Sequence, residues 1–250
     1  MISIYEKITK NRRYDYYLCG NTVKEIIRYE FIPEKPKIIK IPPKKSKKGE
    51  RNEKKLPNNI TRARTSIDAY ICCNPWDLFF VGTVDPKKYD RTDYGKVKTD
   101  FLKWKSNHFP QVKYIVVLEW TYSKRYKAAA WHIHALFYDL CDIKLFKDKY
   151  NDKFGFCYLD KINDKKASSA YISKQITADN IKTPINKHLF FKSNGLKKAK
   201  YIGTKKGAKP TILRGIALEN EYKGNYCNVN RYAMNSVEIK ELEKQITLYS

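Results

Sequence analysis

No stretch of about 18 apolar residues occurs anywhere in the chain, so nothing in it predicts a bilayer-spanning helix. The first residues, Met1-Ile2-Ser3-Ile4-Tyr5-Glu6-Lys7, hold no apolar core of signal-peptide length. Both absences lead to the expectation of a cytoplasmic protein that does not enter a membrane. No CxxC pair exists among Cys19, Cys72, Cys73, Cys141, Cys157 and Cys227, which removes the usual spacing of a structural zinc site. Reduced, mostly buried thiols are expected instead. A Walker A loop is missing too. The segment Gly203-Thr204-Lys205-Lys206-Gly207-Ala208-Lys209 has glycines and lysines without the GxxxxGK[ST] spacing that cradles phosphates, so no helicase motor is expected. Acidic residues are scarce: 26 stand against 51 basic ones, a net charge of +25. A chain so charged repels itself unless a polyanion is its partner, with nucleic acid the first candidate and an anionic membrane surface the second.

What is present fits the first candidate. Twenty tyrosines and four tryptophans accompany the lysines and arginines, and aromatic rings among basic groups suit single strands, whose bases offer faces to stack on. The same rings can equally fill a core. The alternation in Tyr14–Leu18 and Ile26–Phe31 predicts a small hairpin turning at Gly20-Asn21, within an N-terminal appendage of residues 1–32. Residues 33–58 combine prolines with the run Lys44-Lys45-Ser46-Lys47-Lys48 and bury too little apolar surface to order themselves. They read as a basic linker, equally a DNA-contacting arm or a solvated tether.

A catalytic domain is expected over residues 59–182 and a basic C-terminal extension over 183–250. A helix is predicted over Thr61–Cys72. The apolar run Asp77–Val84, bounded by Asn74-Pro75 and Asp85-Pro86, predicts a buried strand. Val97, Phe101 and Trp104 share one side of a helix over Thr92–Asn107. Strands follow at Tyr114–Trp120 and Trp131–Tyr138, then a helix at Lys166–Ala178. Ser236 is placed as the cap of a last helix carrying Val237, Leu242 and Ile246. The alternation of elements predicts an α+β fold whose mostly antiparallel sheet is covered by helices.

The chemistry concentrates in two segments. In Trp131-His132-Ile133-His134-Ala135-Leu136-Phe137 the two histidines are two apart and project from one face of a strand, while Trp131, Ile133, Ala135 and Phe137 turn to the other. The preceding strand ends in Glu119. Paired antiparallel with the histidine strand through a turn at Thr121–Ala130, it brings the carboxylate beside the imidazoles. Histidine alone leans toward zinc; the carboxylate and a phosphate substrate admit Mg²⁺ or Mn²⁺. In the helix containing Ser168–Ile176, Tyr171 and Lys174 are three apart and share a face, while Ile172 and Ile176 share another that can settle on the sheet. A free phenol ionises near pH 10. A metal ion polarising a phosphate and an ammonium stabilising developing charge are the help it needs as a nucleophile.

In this order, Leu78-Phe79-Phe80-Val81-Gly82-Thr83-Val84-Asp85-Pro86, then His132-Ile133-His134, then Tyr171-Ile172-Ser173-Lys174 resemble the three motifs of Rep-class HUH endonucleases. The likeness is closer to phage and bacterial replication-associated proteins. It includes Asn74-Pro75-Trp76, Asp85-Pro86-Lys87-Lys88-Tyr89-Asp90-Arg91 and Ser193–Lys197, and spans about residues 70–200. The resemblance implies a central five-stranded antiparallel sheet with flanking helices, like an RNA-recognition module. It also implies Mg²⁺ or Mn²⁺ on His132, His134 and Glu119. Tyr171 attacks a DNA phosphate to give a 5′-phosphotyrosine and a free 3′-OH. Lys174 assists, and Lys87, Lys88, Arg91, Lys124 and Arg125 contact DNA. The implied partners are a single-stranded origin, as a stem-loop, with a host helicase and polymerase, inside a bacterial cell if phage or plasmid encodes the chain. Two departures stand out. Val81-Gly82-Thr83 replaces the usual Thr-Leu-Thr, and the turn between Glu119 and His132 is long.

Three rivals remain for comparison. A single-tyrosine HUH transposase shares the chemistry and cuts mobile-element ends. A non-catalytic single-strand-binding protein uses the charge and aromatics but has no need of the histidine pair. A His-His-carboxylate iron oxygenase has no need of the charge or of the Tyr-x-x-Lys helix.

Overall fold

In the computed structural model, residues 12–29, 56–123, 128–163, 165–176, 188–207, 209–223 and 227–247 are described. They form an α+β protein with two antiparallel five-stranded sheets and five helices among the described residues. No helix among them is long and apolar enough to cross a membrane. The chain divides into two compact units, one of residues 44–197 and one joining 1–43 to 198–250.

The unit of residues 44–197 contains helix α1 (Leu56–Ile71), strand β3 (Leu78–Gly82), helix α2 (Tyr94–His108), strands β4 (Lys113–Ser123) and β5 (Ala128–Tyr138), helix α3 (Ile143–Lys153), strand β6 (Cys157–Lys161), helix α4 (Lys165–Lys174) and the short β7 (Phe191–Lys192). Their sheet order, β6-β3-β5-β4-β7, places the first and third strands of a βαββαβ unit at the centre. One face is packed by α2 and α3. Phe80 lies at its middle, with Phe101, Phe137, Phe146 and Tyr150 ring centroids 5.1–5.9 Å away. Truncating such a ring to alanine costs about 3–5 kcal/mol. Side-chain oxygens of Asp93 and Asp142 accept from Lys96 N and Leu145 N, capping α2 and α3.

Gly82 points into this face, where a Cβ would run into the Tyr150 hydroxyl and the Phe80 ring. The departure from Thr-Leu-Thr therefore has a packing cause: Tyr150 occupies the space that a side chain at 82 would take. The other face of the same sheet is covered in part by α1 and α4. Ile60, Ile67, Ile71, Ile172 and Ile176 pack there against Ile115, Val117 and Leu136.

The second unit holds strands β1 (Arg12–Cys19), β2 (Thr22–Tyr29), β8 (Lys200–Lys206), β9 (Leu218–Lys223) and β10 (Cys227–Ala233), ordered β8-β1-β2-β10-β9, with helix α5 (Ser236–Thr247). The hairpin expected at Gly20-Asn21 is present, Gly20 adopting the φ of 62° that this tight turn requires. It is not an appendage: β1 pairs with β8 and β2 with β10. The C-terminal segment is not a mere extension either, since it supplies three of the five strands. Residues 188–197, read as part of that extension, belong to the first unit and contribute β7.

Other boundaries shift. Helix α1 starts at Leu56, inside the stretch read as linker, with Pro57 in its first turn where the missing N–H is harmless. Asn235, not Ser236, caps α5: its Oδ1 accepts from Val237 N and Glu238 N, while Glu238 Oε2 accepts in return from Asn235 N. The described cysteines Cys19, Cys72, Cys73, Cys141 and Cys157 are thiols, of which Cys19 and Cys157 are buried and Cys141 is exposed.

Candidate active site

The β4–β5 hairpin sets the geometry. Both strands run further into the turn than the sequence suggests, and their register is continuous from Lys113↔Tyr138 to Ser123↔Ala128. Glu119 therefore lies directly opposite His132, and Val117 opposite His134. All four side chains share the face away from α2 and α3, because Trp131, Ile133, Ala135 and Phe137 occupy the core on the other side.

His134 and Glu119 meet across this register. The imidazole donates through Nε2 to Glu119 Oε2 at 2.7 Å, while its buried Nδ1 has no hydrogen-bond partner. Burial pushes the Glu119 carboxyl up, but hydrogen bonds from His134 and Thr121 and the nearby imidazoles together hold it below its ordinary value. Burial and the neighbouring His134 lower His132, with Arg91 adding to the effect and Glu119 opposing it. His132 is thus favoured in the neutral, ligating form.

Tyr171 stands over the same spot. Its ring meets Phe79 edge-on at 5.0 Å and lies 5.7 Å, centroid to centroid, from the His134 ring. The residue remains 42% exposed. Burial, and then the Glu119 charge, raise its phenol above the ordinary value. Its helix is fixed from two sides. Ile172 and Ile176 are buried on the sheet, and Arg64 of α1 donates through Nε to the carbonyls of Ser173 and Ile176, both at 3.1 Å. Lys174 is exposed in the last turn and, among the described residues, forms no hydrogen bond or ion pair.

Gln175, just beyond α4, escaped sequence reasoning. Oriented with its nitrogen toward the carboxylate, its amide donates to both Glu119 oxygens at 2.7 and 3.0 Å. The signal was available, since a residue four after Tyr171 shares its helical face. The residue type is ordinary, and nothing in the sequence placed it near Glu119.

The basic residues assigned to DNA separate into different positions. Lys87 is exposed. Lys88 donates to the carbonyls of Asn151 and Asp152 at the end of α3, which is a structural employment. Arg91 is 8% exposed and close enough to His132 to lower its affinity for a proton, while its carbonyl accepts from Trp131 N. Arg91 thus lines the site rather than the outer surface. Lys124 and Arg125 lie outside the described residues.

Two segments of the resemblance meet physically. Asn74 donates to Lys197 O at 2.7 Å and accepts from Lys197 N at 3.0 Å, joining Asn74-Pro75-Trp76 to Ser193–Lys197.

A pair of imidazoles, a carboxylate and an amide suit a divalent ion in kind. Among the described residues no three His, Cys, Asp or Glu side chains already form a metal-binding cluster, and His134 and Glu119 are bonded to each other. The unpartnered Nδ1 of His134 leaves that ring less than fully satisfied where it stands. A comparison of the chain with protein-family models, with curated proteins and with solved structures finds no match.

Proposed function

We propose that this protein nicks and rejoins single-stranded DNA by metal-dependent tyrosine transesterification, as a rolling-circle replication initiator of the kind its motifs resemble. The observation that carries the reading is the convergence of three separately placed sequence elements. His134 touches Glu119, His132 faces Glu119 across the strand pair, and the Tyr171 ring is 5.7 Å from that of His134.

His132, His134 and Glu119 are the groups to hold Mg²⁺ or Mn²⁺, which when bound supplies a Lewis acid for the scissile phosphate. Tyr171 Oη then forms a bond to phosphorus as the bond from phosphorus to the 3′ oxygen breaks. The phenolic proton leaves to solvent, the 3′ oxygen gains one, and the phosphodiester is conserved as a 5′-phosphotyrosine. The Glu119 carboxylate is one of the two causes that raise the Tyr171 phenol, and a cation held there would offset it. Lys174 and Arg91 are the cations assigned to the developing charge. A substrate presented as a stem-loop at an origin suits a site that needs an unpaired strand. A chain without a Walker A loop relies on a host helicase and polymerase for strand separation and synthesis.

Incubation with Mn²⁺ and a single-stranded origin oligonucleotide is expected to yield an adduct that survives denaturing electrophoresis, and Tyr171→Phe to abolish it. An adduct of undiminished yield in Tyr171→Phe would overturn the assignment.

A further inference from the structure

Among the described residues of the first unit four aromatic rings are exposed, Tyr122, Phe156, Tyr158 and Tyr171, and two of them stand side by side. Phe156 is 69% exposed and Tyr158 is 50% exposed, whereas Phe80, Phe101, Phe137, Phe146, Phe154 and Tyr150 have almost no accessible surface. Phe156 immediately precedes the edge strand β6 and Tyr158 lies in it, and the pairing fixes the side they occupy. Cys157 and Leu159 belong to the core beneath α2 and α3, so Phe156 and Tyr158 project from the opposite face, that of His132, His134 and Glu119.

The register aligns them with the site in two ranks. Tyr158 pairs with Val81, Val81 with His134, and His134 with Val117. One rank along, Phe156 O accepts from Thr83 N at 2.9 Å, and Thr83 continues β3 beside His132, which faces Glu119. Each ring is therefore two strand spacings from a histidine, about 10 Å at the backbone. A nucleotide spans a distance of this order, so a strand with its phosphate at the histidines has neighbouring bases over the rings.

The backbone that presents Phe156 and the hydroxyl of Tyr158 are also held in place. Thr83 grips the Phe156 carbonyl through Oγ1 as well, at 2.8 Å. Gly155 ahead of it has φ 137°, and a Cβ there would lie 2.8 Å from Asp85 N, so the turn presenting Phe156 is sterically defined. Tyr158 is fixed by donating to Asp160 Oδ2 at 2.8 Å. Rings with so little freedom to lose are good stacking partners. Exposed Lys87 follows β3, in a chain of net charge +25. Flat apolar faces on so cationic a chain match an unpaired strand better than a duplex, whose base faces are covered, or an apolar protein surface.

We infer that Phe156 and Tyr158 form a stacking platform for the bases of a single-stranded nucleic acid crossing the His132–His134 face. The direction of that strand toward Tyr171 rests on the proposed nicking activity; the binding does not.

The test uses the full chain, a fluorescein-labelled single-stranded 20-mer and the same sequence as duplex, with affinity read by anisotropy. Phe156→Ala and Tyr158→Ala are each expected to weaken single-strand binding roughly tenfold, with Tyr158→Phe close to wild type. The Ala variants' duplex binding should change far less. Phe156→Trp should retain binding, and its added indole emission should be quenched when an unlabelled oligonucleotide saturates it, a signature of stacking that a folding role does not produce.

The inference is overturned if both alanine variants bind the single strand as wild type does, if the emission added by Phe156→Trp does not respond, or if wild type shows no preference for the single strand. Wild type that binds through these rings yet forms no Mn²⁺-dependent adduct would leave the platform standing and remove the nicking activity. Wild type that forms the adduct, with alanine variants unchanged in KM and Kd, would do the reverse.

Discussion

Each of the two sheets carries a glutamate on a strand with neighbours on both sides, and the two are treated differently. Glu25 of β2 is fully buried and saturated. Tyr16 donates to one oxygen at 3.0 Å; Asn230 and Tyr232 donate to the other at 2.8 and 2.9 Å; and Lys209 Nζ is 3.7 Å away. These partners sit on the same unit's β1 and β10 strands or beside them, so the carboxylate ties its own sheet together. Glu119 of β4 keeps some access to solvent and is bonded to an imidazole and to an amide that follows the tyrosine helix. A saturated buried carboxylate has no valence left for a ligand. A carboxylate held by groups that can exchange it for a cation is poised for chemistry.

The largest effects should separate these roles directly. Glu25→Leu strips a buried network of its acceptor, leaves both tyrosine hydroxyls without it and leaves Lys209 and the Asn230 amide only the Tyr232 oxygen; a loss of about 3–5 kcal/mol is expected in urea unfolding. Glu119→Gln is expected to change stability by less than about 1 kcal/mol while lowering Mn²⁺-dependent adduct formation at least about 100-fold. Equal destabilisation by both substitutions, with activity following stability, would erase the distinction.

The same contrast explains what the sequence made legible. In the first unit, strict alternation around His132 and His134 and the i, i+4, i+7 spacing of Val97, Phe101 and Trp104 located β5 and α2, since periodicity reports a face buried against one neighbour. Helix α3 was missed because Lys144–Lys153 offers only Phe146 and Tyr150 to the core amid charges, and five-residue β6 carries no pattern long enough to register. The second sheet was hidden for another reason. Its hairpin and its other three strands are separated by more than 170 residues of chain, as in the Tyr16↔Gly203 and Glu25↔Asn230 pairs, and alternation within a strand says nothing about distant partners. At the site, His132, His134, Glu119 and Tyr171 were readable because residue type and spacing carry their chemistry. Gln175 and the burial of Arg91 were not, since both depend on how loops return over the sheet.

A smaller effect concerns one lysine in each unit, Lys209 partly buried and Lys105 buried. Lys209 is placed beside Glu25 and the Tyr232 hydroxyl. Lys105 of α2 donates instead to the Val112 carbonyl at 2.8 Å and lies over the Tyr114 ring. Burial, and then the charge of Lys113, push Lys105 down to about 8. An unfolded lysine ionises near 10.4, so between these values the unfolded chain binds more protons than the folded one, and stability should rise with pH. Below pH 8 the charged form is present in both states and its desolvation cost is felt in full. Relative to Lys105→Met, wild type should therefore gain on the order of 2–3 kcal/mol from pH 7.5 to pH 10.5 in urea unfolding, whatever the tyrosines contribute to both. A difference independent of pH would show that Lys105 is solvated in the fold.

The smallest predicted effect bears most directly on the comparison. Asn230 and Gln175 both donate an amide to a glutamate, one within a closed network and one at an open site. If Gln175 is a positioning residue for Glu119, its removal should leave the fold intact and change how the site takes a cation. Gln175→Leu is expected to shift stability by less than about 0.5 kcal/mol and to raise the Mn²⁺ concentration for half-maximal adduct formation about tenfold, since partners of ligating carboxylates contribute at that level. Saturating Mn²⁺ should recover most of the rate, because Tyr171, His132 and His134 are untouched. Gln175→Glu should not mimic wild type, as a second carboxylate there repels Glu119 until a cation binds, making the rate more steeply dependent on Mn²⁺. A stability loss in Gln175→Leu with an unchanged Mn²⁺ requirement would instead place Gln175 with Asn230, as a group that holds the structure together and has no part in the chemistry.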